Sequence, residues 1–74
     1  MKEIDLGKSL YDITEQYPEL IPVLKELGFA GVSNPVARST LGRATTIPQG
    51  CERLGIELEM VLEVLRNMGY GPRF

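Results

Sequence analysis

The chain has 74 residues, 43% of them hydrophobic and 24% charged, with a formal charge of −2. That length and balance describe one small globular core and exclude a second lobe, a disordered segment and the basic excess of a nucleic-acid binder. With no histidine, no tryptophan and a single cysteine, Cys51, the chain lacks an imidazole base, a Cys–His or Ser–His nucleophile, a CxxC pair and a self-contained zinc or iron–sulfur ligand set. The expectation is a protein that is not an enzyme and needs neither metal nor cofactor.

Two further expectations concern location. No apolar stretch approaches the ~18 residues of a membrane span, and Met1-Lys2-Glu3-Ile4-Asp5 is too polar for a signal peptide. A lone thiol also suits a reducing compartment, so the chain is expected to be cytoplasmic.

Apolar residues recur every three or four positions between glycine and proline breaks, which is the rhythm of short helices. Ser9-Leu10-Tyr11-Asp12 reads as a capping box opening a first helix, with Leu10, Ile13 and Tyr17 on one face and Tyr17-Pro18 ending it. A second helix is predicted from Pro18 to Leu27 with Gly28 as its C-cap. Pro22 is tolerable there only within the first turn, where an amide has no acceptor to lose. Asn34-Pro35 reads as an N-cap and an N1 proline, opening a third helix over Pro35 to Leu41 that breaks at Gly42. Val36 and Leu41 are expected inward and Arg38 outward.

Thr46-Ile47-Pro48-Gln49 repeats the capping signature and starts a fourth helix that ends at Gly55. The fifth, Leu58 to Met68, places Leu58, Val61, Leu62, Leu65 and Met68 on one face and is closed by Gly69. Residues 70–74 read as a loose tail, and Ile4-Asp5-Leu6 is a candidate for a minimal two-stranded pairing with Gly55-Ile56-Glu57. The expected fold is all-α, one domain over 1–74, a compact irregular array of about five short helices. Its core is predicted from Leu10, Ile13, Leu20, Val23, Leu24, Leu27, Ile47, Leu54, Leu58, Val61, Leu62 and Leu65.

Three groups are candidates for chemistry. Cys51 lies close to the start of the fourth helix, where amides and the dipole can lower a thiol pKa, but a lone cysteine on a short amphipathic helix reads first as a small buried apolar residue. Glu52, Glu57, Glu59 and Glu63 form an acidic set suited to a hard cation, or simply a solvated face. The window from Asn34 to Thr46 holds Arg38 and Arg43 and no acid, between two helix starts. Asn34, Arg38, Arg43 and Thr46 are therefore the candidate contacts for a carboxylate, a phosphate or a partner protein. The structural alternative is that the arginines clamp Glu52 or Glu57.

The stretch YPELIPVLKELGF over residues 17–29, followed by NPVARSTLGRATTIPQG over 34–50, resembles a prokaryotic family known as domain of unknown function 1858. It is most similar to the subgroup placed ahead of a larger uncharacterised domain, sometimes with PAS-type or haemerythrin-like modules. The resemblance implies an all-helical fold without assigned activity. A sister group, the redox-disulfide domain associated with hybrid cluster proteins, and the similar N-terminal domain of ScdA-type iron–sulfur cluster repair proteins carry a cysteine pair where this chain has Gly31 and Asn34.

Residues and resemblance together predict a non-catalytic binding or interaction module for a protein partner, a larger domain in trans or a small anionic ligand. The alternative is an accessory to redox or metal-cofactor proteins that has lost its CxxC.

Overall fold

A computed structural model of the chain describes residues 2–73. In chain order these are β1 (Lys2–Asp5), α1 (Leu10–Gln16), α2 (Leu20–Glu26), a 3₁₀ turn (Ala30–Ser33), α3 (Pro35–Ala44), α4 (Ile47–Leu54), α5 (Leu58–Asn67) and β2 (Tyr70–Arg73). The architecture is all-α with five helices and one two-stranded parallel pair.

The predicted caps form, one of them in part. Ser9 Oγ accepts from the amide of Asp12 at 3.1 Å without the return bond of a capping box, and Thr46 with Gln49 completes a reciprocal one. Pro22 is the third residue of α2, inside the first turn as its missing amide requires. Gly28 ends the segment at φ 115°, and a Cβ there would stand 2.9 Å from Ile56 Cδ1, so both backbone and space favour glycine.

Several expectations are corrected. The predicted loose tail is a strand over 70–73, paired with β1 in the register Lys2↔Tyr70 to Asp5↔Arg73, while Phe74 lies outside the described residues. The N-terminal strand therefore finds β2 and not Gly55–Glu57. Parallel strands need a long crossover, and here all five helices form it. The pairing buries Ile4, Leu6 and Tyr70, none of them in the predicted core.

The third helix does not break at Gly42 but continues to Ala44. Gly42 is buried where α3 crosses α1: a Cβ there would meet the Tyr11 backbone nitrogen at 3.6 Å, an ordinary contact. Close packing of the two helices offsets the ~1 kcal/mol by which glycine disfavours a helix interior.

The orientation of α3 is the reverse of the expected one. Val36 and Leu41 are 72% and 64% exposed, whereas Arg38 lies half-buried against α1. Gly42 and the guanidinium of Arg38 face α1, and the branched residues are left on the other sides.

Leu54, assigned to the core, is 53% exposed, and Met68, placed on the buried face of α5, is 44% exposed. Val23, Leu27 and Leu58 are only partly buried. Phe29 and Val32 take up core volume instead, because Gly28 turns the chain and the 3₁₀ turn directs both inward.

Candidate functional site

An apolar groove of about 240 Å³ opens between the 3₁₀ turn, α3 and α4. Its construction follows from local sequence. Gly28 stops α2, Phe29 and Val32 then bury their side chains beneath the groove, and Leu10 joins them from α1. Gly50 keeps α4 close to Phe29: a Cβ at that position would lie 2.6 Å from Phe29 Cε1. Leu41 from α3 and Leu54 from α4 line the opening while remaining more than half exposed. Arg38 and Arg53 are the charged residues of the lining, which contains no carboxylate.

The residues proposed from sequence are distributed differently. Asn34 Oδ1 accepts from the amides of Val36 and Ala37 at 2.9 and 3.3 Å, so it is occupied in capping α3. Thr46 Oγ1 accepts from the Gln49 amide at 3.3 Å, and Gln49 Oε1 accepts from the Thr46 amide at 3.1 Å. Several amides counted as anion donors are thus already paired within their own helices. The two helix starts stand at opposite ends of α3, separated by a ten-residue helix of about 15 Å, and do not converge.

Arg38 and Arg43 are brought together, but over a side chain of the protein itself. Their guanidinium carbons stand 4.8 and 4.1 Å from the centroid of the Tyr11 ring. Arg38 Nη1 also donates to Thr14 Oγ1 at 2.9 Å, and its Nη2 lies 3.7 Å from Glu15 Oε1. Thr14 is buried and donates to the Leu10 carbonyl at 2.8 Å, leaving its oxygen to accept from Arg38. The arginine clamp anticipated as an alternative therefore exists for Arg38, with α1 as its target and not Glu52 or Glu57. Among the described residues, Arg43 and Arg53 have no carboxylate within ion-pair distance.

Cys51 is the fifth residue of α4 and is 3% exposed within the core, where burial pushes its thiol above the usual value. This is the small buried apolar position that a lone cysteine on an amphipathic helix suggests. Glu52, Glu57, Glu59 and Glu63 are all exposed, and among the described residues no three Cys, Asp or Glu side chains are grouped to hold a metal ion. No described helix is long and apolar enough to cross a membrane.

A second polar cluster fastens the strand pair to α2. The Tyr70 hydroxyl donates to Glu19 Oε2, Lys2 Nζ lies 3.4 Å from the same oxygen, and Tyr17 meets Tyr70 edge-on with centroids 5.2 Å apart. The Tyr70 bond holds the Glu19 carboxyl below its usual value. Burial, with help from that carboxylate, pushes Tyr70 up to about 12. This cluster is structural, tying both ends of the described chain to one helix start.

A family pattern for a domain of unknown function, DUF1858, matches residues 4–62. The chain belongs to the DUF1858 family. The DUF1858 chain is also similar to the crystal structure of a conserved domain protein from Streptococcus pneumoniae TIGR4, with 29% identity, coverage of 99% of this chain and 92% of that one, and a TM-score of 0.93. No curated protein matches it. Every residue lining the groove falls inside the matched DUF1858 span, whereas β2 lies beyond it.

The sequence reading missed Leu41 and Leu54 as site residues because helical spacing assigns both to the interior. It missed Arg53 because that residue sits in a mixed-charge turn of α4. The one local signal for the groove was the pair of small residues, Gly31 and Gly50, facing it from either side.

Proposed function

We propose that this DUF1858 chain is a non-catalytic binding module that recruits a protein partner, or a larger domain in trans, through the groove between the 3₁₀ turn, α3 and α4. One observation carries the reading: Leu41 and Leu54 remain exposed at the mouth of an apolar groove, in a chain that buries most of its other large leucines. A small domain gains stability from every large side chain it covers, so two leucines left beside an open apolar groove mark a surface that a partner covers. The reading carries no catalytic group and no cofactor, and it places the protein in the cytoplasm, away from membrane and nucleic acid.

Arg43 remains the contact for a small anionic ligand within this reading, because its guanidinium faces no carboxylate of the described chain. Arg38, Asn34 and Thr46 contribute less to such a ligand, each being engaged with the fold.

The accessory-to-redox alternative rests on the resemblance to the redox-disulfide and ScdA-type domains. Its one structural support is position. Gly31, where those relatives carry a cysteine, lines the groove, so the same face would serve recruitment in a chain without the pair. Cys51, buried with a raised pKa, does not supply the missing chemistry.

A photo-crosslinking residue placed at Leu41 or Leu54 in the producing cell tests the proposal. The expected result is one discrete adduct from each position and none from Glu59 on α5, with the Leu41 adduct lost when Leu54→Asp is introduced. Equal labelling from all three positions, or none from the two leucines, would overturn it.

A further inference from the structure

We propose that the groove's occupant is an acidic amphipathic helix, presenting large apolar side chains on one face with carboxylates beside them. This rests on the groove being the recruiting surface, and it adds what kind of polypeptide binds there.

The first argument is charge. Residues 30–54, which build most of the groove, carry three arginines against one carboxylate, Glu52, while the rest of the chain carries nine acids and five bases. Of the three arginines, Arg38 and Arg53 line the groove and no carboxylate does, whereas Arg43 stacks on Tyr11 of α1 outside the lining. Arg38 is engaged with Thr14 and Glu15, and Arg53 is exposed and unpaired among the described residues. Carboxylates flanking an apolar stripe would meet the Arg53 guanidinium at the rim. Arginine suits that role, since its planar fork can pair with both carboxylate oxygens.

The second argument is backbone hydrogen bonding. A β-strand docks by adding to a sheet edge, and the groove has none. Its walls are α3, α4 and a 3₁₀ turn, whose peptide groups are largely engaged internally, and the Thr45 carbonyl beside it already accepts from the Leu10 amide at 2.8 Å. A segment docking here must satisfy its own backbone, and a helix does so.

The third argument is size. A space of 240 Å³ accepts anchoring side chains but not a whole helix, whose diameter is about 10–12 Å. The helix therefore lies across Leu41 and Leu54 and inserts side chains spaced i, i+3 or i+4 between them.

Two synthetic helical peptides serve as probes, both with leucines at i, i+3, i+4 and i+7, one flanked by glutamates and the other by lysines. Each is titrated into the isotope-labelled full chain while amide shifts are followed. The acidic peptide is expected to move the amides of Gly31, Gly42 and Gly50 and to bind about tenfold more tightly than the basic one at low salt, the gap narrowing as salt is added. Arg53→Glu should reverse the preference without lowering the melting temperature. Equal binding of both peptides in the groove would overturn the acidic helix and leave the recruiting surface standing. Absence of groove shifts with either peptide, together with absence of crosslinks from Leu41, would overturn both. Concentration-dependent self-association abolished by Leu41→Glu would instead make a second copy the occupant, and that too overturns this proposal.

Discussion

Arg38→Gln should destabilise the fold measurably, although Arg38 stands on a helix whose apolar residues face solvent. The guanidinium makes three contacts to α1, and their worth differs. The charge-assisted bond to Thr14 is the largest, at about 1.5–3 kcal/mol, because its acceptor is buried and the distance is 2.9 Å. Stacking on Tyr11 at 4.8 Å adds about 0.5–1 kcal/mol, and the 3.7 Å pair with half-exposed Glu15 contributes little, about 0–1 kcal/mol. These contacts share one side chain and do not add fully, and Thr14 keeps its bond to Leu10 when Arg38 is lost, so the expected cost is about 1.5–3 kcal/mol. In a domain of this length that lowers the melting temperature by roughly 6–24 °C. Thermal and urea unfolding followed by circular dichroism measure it, with Arg43→Gln as the comparison, expected at about 0.5–1 kcal/mol because its one recorded partner is the Tyr11 ring. If Arg38→Gln and Arg43→Gln have the same small effect, the clamp between α1 and α3 does not operate as described.

Leu24→Ala, at a fully buried position, should cost about 2–5 kcal/mol and leave much of the chain unfolded at room temperature; an unchanged urea midpoint would contradict its place in the core. Gly50→Ala should cost about 1–2 kcal/mol, since displacement of Phe29 outweighs the helix propensity gained, and it should also weaken binding of the acidic peptide by narrowing the groove. Tyr70, raised to about 12, should ionise well above the ordinary tyrosine value. Its neutral form stabilises the fold fully below the ordinary value of about 10, and that contribution is lost as pH rises from there through 12. Tyrosinate absorbance should therefore show a late step that Tyr70→Phe removes. Cys51 should react slowly with iodoacetamide at neutral pH in the native protein and rapidly once unfolded, because burial both shields the thiol and raises its pKa.

The helices were legible because their ends are written in local chemistry. Ser9, Asn34 and Thr46 each accept amide hydrogen bonds of their own first turn, and Gly28, Gly55 and Gly69 take positive φ where a helix stops. What escaped depends on distant partners. β1 and β2 are four residues each and lie at opposite ends of the chain, so neither carries a register signal of its own. Hydrophobicity assigns Val36 and Leu41 of α3 inward, whereas the side turned to α1 carries Gly42 and Arg38. The same inversion concealed the groove, since its most informative residues, Leu41 and Leu54, look like core until the neighbours that fail to cover them are known.

Along α3, holding the fold and offering a surface fall mostly to different side chains. Arg38 and Gly42 lean on α1, Asn34 caps the start, and Leu41 points to the groove mouth. Arg38 and Gly42 belong to both sets, lining the groove while facing α1. Substituting either would confuse lost stability with lost recognition, whereas Leu41, Leu54 and Arg53 are exposed and outside the buried core. Exposed positions of this kind typically change stability by no more than about 0.5 kcal/mol. A binding defect in Leu41→Ser or Arg53→Glu with an unchanged melting temperature is therefore attributable to the surface itself. For Leu41 that separation follows from the inverted orientation of α3: had this leucine turned inward as hydrophobicity suggests, its substitution would also have opened the core.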